Sequence, residues 1–432
     1  MKKTKVKVFF TGMERNTPTW PYIDYDYRKR AGEIMELLAR NLPEIEFSQV
    51  IINSIDNVKE AFKEEVNGYL VYILTLRYSD LVKEILDTGV PTILADDLFG
   101  GSGHFLKFYD FARKKSLPVV GIASSNFQDI LDAVRLFSVM NSMIHSRILV
   151  IKNKELDKKV SDSIKETFGT EILRMTSEEL NTYYQNTDNG EAKRWEKKWT
   201  DEAFRVVEPT EEEIFKSARM YLALKKAMEE KNADAVTVDC LGLYYSGQLF
   251  AYPCLSFFQL NNEGLTGVCE ADLDSTVTQL VLRYLTGRPG YVSDPVIDIG
   301  SNQIIYAHCV ATNMVYGPTG LANPYIIRSH SEDRKGASIQ SLLPLGETVT
   351  TAKISTKEKM LAVHQGKTVA NIEEDKACRT KLAVEANVEN ILEKYNFEKL
   401  KWHRVTFYGD YRKELLNLAR LWGLETIEED KR

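Results

Sequence analysis

Short apolar runs alternate with helix-length amphipathic segments through the first ~150 residues, and this alternation constrains the fold more than any other feature. Strands are expected at Val6–Thr11, Gly68–Thr75, Pro91–Ala95 and Pro118–Ile122, with helices at Tyr27–Arg40, Ser79–Asp87 and Ser125–Val139 between them. Apolar strands joined by helices form a parallel sheet covered on both faces. The same texture restarts at Arg147–Ile151. It continues through a long helix from Glu211 to Lys231, a strand at Ala235–Val238 and a further possible strand at Cys254–Phe258. The polar, Trp- and Lys-rich stretch Asn181–Thr200 reads as a surface excursion. From Pro295 the pattern changes to short β-rich runs punctuated by Gly, Pro and Asn: Ile304–Ala311, Tyr325–Arg328, Ser338–Leu342, Val349–Ile354 and Lys359–Gln365. That spacing predicts an antiparallel sandwich or barrel. A last helix, Tyr411–Leu421, has Asp410 as its expected cap. The expected fold is therefore α/β: two Rossmann-like domains, residues 1–147 and 148–292, then a β-rich, antiparallel, barrel-like domain over 293–432 that ends in a helix.

Composition removes several function classes. The 432 residues carry a net charge of −6 and show no basic stripe, which argues against a nucleic-acid partner. No apolar run approaches the ~20 residues of a membrane span. The opening MKKTKVKVFFTGM has too short an apolar run for a signal-peptide core and reads as a strand. Cys240, Cys254, Cys269, Cys309 and Cys378 are odd in number and lack CxxC spacing. Neither a disulfide framework nor a zinc ribbon is expected, and a reducing cytoplasm fits.

The chemically informative stretch is residues 267–312, GVCEADLDSTVTQLVLRYLTGRPGYVSDPVIDIGSNQIIYAHCVAT. Asp274 or Ser275 is the expected cap of a helix that faces inward through Val277, Leu280, Val281 and Tyr284 and ends at Gly287. That helix advances about 18 Å, and the run Gly290–Asp294 returns about 16 Å as a strand. Glu270 and Asp294 then finish near the same end of the layer, an unfavourable pairing unless a cation or a shared proton lies between them. A hairpin centred on Ser301 sets Asp294 directly opposite His308, with Cβ atoms about 4.5–5.5 Å apart. A carboxylate and an imidazole at that separation suit a divalent metal. A one-residue slip in register sends the two side chains to opposite faces. His403 alternates with Val405 and Phe407 on one face of a candidate strand, and His330 sits among Arg328, Glu332, Arg334 and Lys335. Taken singly, each has a plainer reading. Glu270 reads as a solvated helix-entry acid, Asp294 as the start of a turn, His308 and His403 as hydrogen-bonded core histidines, and the His330 segment as a solvated loop. Gly100–Phe105, GGSGHF, lacks the Lys-Ser/Thr of a P-loop and reads as an ordinary loop.

At these residues the chain resembles the L-fucose/L-arabinose isomerase superfamily, most closely over residues 259–337 and 402–424. CEADLDSTVTQLVLRYLTG is similar to the segment that carries the family's first metal-binding glutamate, here Glu270. YVSDP resembles the segment of the second acidic ligand, here Asp294. AHCVAT is similar to the strand from which arabinose isomerases supply a histidine, here His308. WHRVTFYGDYRKELLNLARLWGLE resembles the C-terminal segment that supplies another histidine, here His403; the family often has two adjacent histidines there, and Arg404 cannot be the ligand.

The resemblance implies an aldose–ketose isomerase acting on a pentose or deoxyhexose through an enediol, with Glu270 and Asp294 as both ligands and acid/base pair. It implies one Mn²⁺-type cation, Mg²⁺ or Co²⁺ being alternatives, and substrate contacts from Gln259, Arg328 and His330. It also implies a homo-oligomer, trimer or hexamer, in which Asp96–Phe105 is the candidate contribution to a neighbour's pocket. The basic residues near His330 leave open an anionic sugar, sulfonated or phosphorylated, such as sulfoquinovose. A non-catalytic sugar-binding module and a metal-assisted aldol cleavage are the competing readings.

Overall fold

The computed structural model describes residues 3–14 and 16–432; Met1 and Lys2, which open the expected first domain, and Arg15 lie outside the described residues. The chain is a mixed α/β protein with parallel sheets and a β-rich C-terminal region. It divides into two compact units. One holds the described residues up to Ile144 together with Lys413–Glu425, and the other holds His145–Arg412 with Thr426–Arg432.

In the first unit, β1 (Thr4–Thr11), β2 (Ile45–Ile52), β3 (Gly68–Ile73), β4 (Thr92–Asp96) and β5 (Val119–Ile122) form a sheet in the order β2-β1-β3-β4-β5. All neighbours are parallel. Every residue of β3 is buried, as a strand covered on both faces requires. β2 was not expected from the sequence. It is an edge strand, and Glu46, Ser48 and Gln49 interrupt its apolar run.

The second unit begins with β6 (Arg147–Ile151), β7 (Glu171–Met175), the short β8 (Arg205–Val206), β9 (Ala235–Val238) and β10 (Thr266–Cys269). Four of these make a parallel sheet in the order β10-β9-β6-β7. Two expectations fail here. Residues 181–200 are no surface excursion. They fall mainly in the helices Ser177–Gln185 and Asn189–Glu202, capped by Thr176 and Asp188, and they drive Leu180, Tyr184, Ala192 and Trp199 into the core. Cys254–Phe258 is not a strand but the first part of the helix Cys254–Asn262, which is buried almost throughout. An apolar run buried on every side carries no period that separates the two.

The β-rich region follows: β11 (Tyr291–Asp298), β12 (Gln303–His308), β13 (Tyr325–Arg328), β14 (Ser338–Ser341), β15 (Thr348–Ser355), β16 (Met360–Asn371), β17 (Thr380–Glu385), β18 (Arg404–Tyr408) and β19 (Glu425–Glu428). Seven strands run in the order β15-β18-β11-β12-β17-β16-β19, and β15 also pairs with β16. Six strands therefore return on themselves. Gly290, just before β11, lets that strand pack closely, because a Cβ there would lie 2.3 Å from the Phe407 ring.

The hairpin between β11 and β12 is shifted one residue from the expected register. Asp294 pairs with Ala307, and Asp298 pairs with Gln303 across a four-residue turn. Asp298 accepts a hydrogen bond from the Ser301 hydroxyl, and Asn302 takes φ +54° to close the turn.

Candidate metal centre

The first acid stands at the carboxyl end of β10. Glu270 and Ala271 both adopt left-handed backbone, φ +64° and +50°. Such a conformation costs a non-glycine residue about 1–2 kcal/mol. The Ala271 N–H holds the bend by donating to the Val238 carbonyl at the end of β9. Asp272 then caps the helix Leu273–Thr286, two or three residues earlier than the Asp274 or Ser275 expected. Its carboxylate accepts from the Ser275 N–H at 2.9 Å, from the Ser275 hydroxyl and Lys353 Nζ at 2.7 Å each, and from His403 Nδ1 at 2.9 Å.

The ladder between β11 and β18 supplies the next pair. Ser293 faces Arg404, so Asp294 and His403 come next along the same ladder. His403 Nε2 lies 3.2 Å from Asp294 Oδ1 and 3.5 Å from Glu270 Oε2. Trp402 fixes the approach by donating its indole N–H to the Pro295 carbonyl at 3.1 Å.

His308, the last residue of β12, completes the group. Its Nε2 is 3.9 Å from Glu270 Oε1, and its ring meets that of His403 edge-on at 5.9 Å. Ligand atoms of Glu270, His308 and His403 all lie within 4.8 Å of one another. The shifted register has not separated Asp294 from this group, because His403 bridges to it.

These residues fit a divalent cation. At bond lengths of about 2.1 Å, two ligand atoms sharing one ion are about 3.0 Å apart at right angles and about 4.2 Å apart across it. The separations of 3.2, 3.5 and 3.9 Å fall in that interval. His308 is buried, yet neither ring nitrogen has a hydrogen-bond partner among the described residues. A buried polar atom left bare costs about 1–3 kcal/mol, so two on one ring mark a site built for something else.

Electrostatics point the same way. Burial pulls the His403 imidazole down, but the carboxylates of Asp272, Asp294 and Glu270 outweigh it and raise the group to about 10. Burial pushes the Asp272 carboxyl up, and Lys353 and His403 overcome that to hold it well below the usual range. Asp294 is also lowered against its burial, by His403 and His308. One protonated imidazole thus offsets only part of the charge of three carboxylates, and a cation at its Nε2 would have to displace the proton there.

The three substrate contacts suggested by resemblance have other partners. Gln259 accepts from the Trp199 indole and donates to Glu263, and it lines a cleft of about 750 Å³ whose walls contain none of the four converging residues. Arg328 is paired with Glu208 at 2.6 Å and donates to Gln340. His330 is buried and stacks on Tyr252 at 4.4 Å. The nearby Arg334 pairs with Asp375 at 2.7 Å, so two of the cations in this expected anion-binding cluster are neutralised within the chain.

The reading of the sequence missed Asp272 and Lys353. Asp272 left a signal, an acid placed just ahead of an apolar-periodic helix. Lys353 left none, since its partner is 81 residues away.

No family profile matches the chain. It is similar to proteins named sulfoquinovose isomerase from Priestia aryabhattai and Priestia megaterium, at 26% identity over 252 residues, 54% of this chain and 53% of each relative. A third, from Alkalicoccus urumqiensis, is 23% identical over 216 residues, 49% of this chain and 48% of the relative. The chain thus spans about half the length of the curated relatives it matches. All five cysteines are free, and no helix among the described residues is long and apolar enough to cross a membrane.

Proposed function

We propose that the chain is an aldose–ketose isomerase acting on a sugar through an enediol, with a divalent cation held by Glu270, Asp294, His308 and His403. The observation that carries this reading is the convergence of Glu270, His308 and His403, joined by Asp294 through His403, around a buried His308 ring with no hydrogen-bond partner among the described residues. Mn²⁺ suits the mixed carboxylate and imidazole donor set, as do Mg²⁺ and Co²⁺. The bound cation would supply positive charge where two neighbouring substrate oxygens become negative. Glu270 and Asp294 form the acid/base pair. One carboxylate removes the proton from the carbon beside the carbonyl, and the other exchanges a proton with the neighbouring carbon or oxygen. Asp272 keeps the Nδ1 side of His403 occupied, which turns Nε2 toward the acids.

The relatives' names favour a sulfonated sugar, sulfoquinovose, over a neutral deoxyhexose or pentose. In this reading the two parallel sheets are Rossmann-like domains and the returning six-stranded sheet is a barrel. The protein works in the cytoplasm as a homo-oligomer, and Asp96–Phe105 reaches a neighbour's pocket.

The test is incubation of the full chain with Mn²⁺ in D₂O, using sulfoquinovose, pentoses and deoxyhexoses in turn and following the sugar by NMR. The expected result is a ketose with deuterium at C1 or C2, lost with EDTA and restored by Mn²⁺. Sugar binding that EDTA leaves untouched, with no exchange on any substrate, would replace the isomerase with a binding module. Cleavage into two shorter carbonyl products would make it an aldolase.

A further inference from the structure

His403 has a second, buried support that the isomerase reading leaves unused. The chain reaches it through Lys401, a non-glycine residue at φ +59° and ψ −164°, so the turn into β18 is strained. The next residue, Arg404, is fully buried, and its Nη1 donates to the carbonyls of both Lys401 (3.2 Å) and His403 (3.1 Å). Its Nη2 and Nε are held by Glu429 at 2.7 and 3.3 Å, and its guanidinium lies over the Tyr395 ring at 4.0 Å.

Glu429 is itself fully buried and fixed from three sides. Its N–H donates to the Val363 carbonyl at 2.9 Å. Its Oε2 pairs with His364 Nδ1 at 2.8 Å, and the far nitrogen of that ring meets the Tyr306 hydroxyl at 2.5 Å. The line Tyr306–His364–Glu429–Arg404 thus ties strands β12 and β16 to the main chain of a residue in the metal centre. An ion pair serving stability alone has no need of donors aimed at the carbonyls of a strained turn beside a ligand.

We infer that Glu429 is a positioning residue for His403: acting through Arg404, it holds the turn 401–403 so that the imidazole meets Asp272 with one nitrogen and the metal centre with the other. The assignment of a metal to that centre rests on the function proposed above; the geometry of the turn does not.

The test compares the full-length wild type with Glu429→Gln and with the double variant Arg404→Met/Glu429→Gln. The double variant removes both buried charges yet keeps an acceptor for His364, and loss of a whole buried pair is often near neutral for stability. Two quantities are read on each protein: the downfield Nδ1–H proton resonance of His403 without metal, and Mn²⁺ affinity by EPR. We expect the double variant to unfold at the wild-type urea midpoint while its resonance shifts or broadens and its Mn²⁺ affinity falls about 10–100-fold, the range for losing a group that orients a ligand. Wild-type resonance and affinity in the folded double variant would overturn the inference. Absence of Mn²⁺ binding in the wild type would refute the metal centre instead, and the metal-free resonance would still decide whether Glu429 positions His403.

Discussion

Replacing Asp272 by Asn separates two tasks that one carboxylate performs. Asn is as good a cap as Asp, so the helix Leu273–Thr286 keeps its acceptor for the Ser275 N–H. What disappears is the carboxylate paired with Lys353, whose side chain is fully buried and whose other hydrogen-bond partner is the neutral Ser275 hydroxyl, with Asp274 acting on it without a hydrogen bond. Removing one partner of a buried pair costs about 3–5 kcal/mol. Urea unfolding of Asp272→Asn should therefore show a loss of about 3–5 kcal/mol. The double variant Asp272→Asn/Lys353→Met should recover at least half of it, because no uncompensated charge remains. Metal affinity should follow neither trend. It should fall about 10–100-fold in both proteins, since His403 has lost its carboxylate partner in each. A single variant within 1 kcal/mol of wild type, or a double variant that regains full Mn²⁺ affinity, would refute this reasoning.

Four further outcomes are expected. Because His403 is held at about 10, a cation must displace its proton, and Mn²⁺ affinity measured by dye competition should rise about tenfold per pH unit between about pH 6 and 9; a flat profile contradicts the ligand assignment. Glu270→Ala and Asp294→Ala should each lower deuterium exchange into the sugar at least about 100-fold, with unfolding midpoints near wild type. The Glu429 carboxyl is lowered to about 2, so its contribution, about 3 kcal/mol, is complete above about pH 4.5 and disappears as pH falls toward 2; urea titrations across that window should show the loss, and Glu429→Gln should flatten it. Gly290→Ala should destabilise the fold by about 1–3 kcal/mol, because its Cβ must push the Phe407 ring aside, and calorimetry reads the lowered Tm.

The interior strands of the parallel sheets were legible because such a strand must be apolar on both faces; β1, β3, β4, β6 and β9, and the edge strand β5, begin within two residues of the expected positions, whereas the edge strands β7 and β10 were not expected. β2 escaped because an edge strand tolerates polar residues. Helix 254–262 escaped because burial on all sides erases its period. At the candidate centre, Glu270, Asp294, His308 and His403 could be named from residue type and resemblance, and the structure brings these four together. The assumed ladder between Asp294 and His308 was one residue out, since the side chain of Asp298 sets a longer turn than Gly300–Asn302 alone suggests. The supports of His403 were hidden in principle. Asp272 meets Lys353, and Arg404 meets Glu429, only after strands far apart in the chain have paired, and no local pattern records that.

Anomalous diffraction from crystals grown with Mn²⁺ tests the metal centre most directly. The account predicts one strong peak about 2.0–2.3 Å from Glu270, Asp294, His308 Nε2 and His403 Nε2. Density for Mn²⁺ elsewhere, with His308 and His403 bonded to protein groups instead, would contradict it.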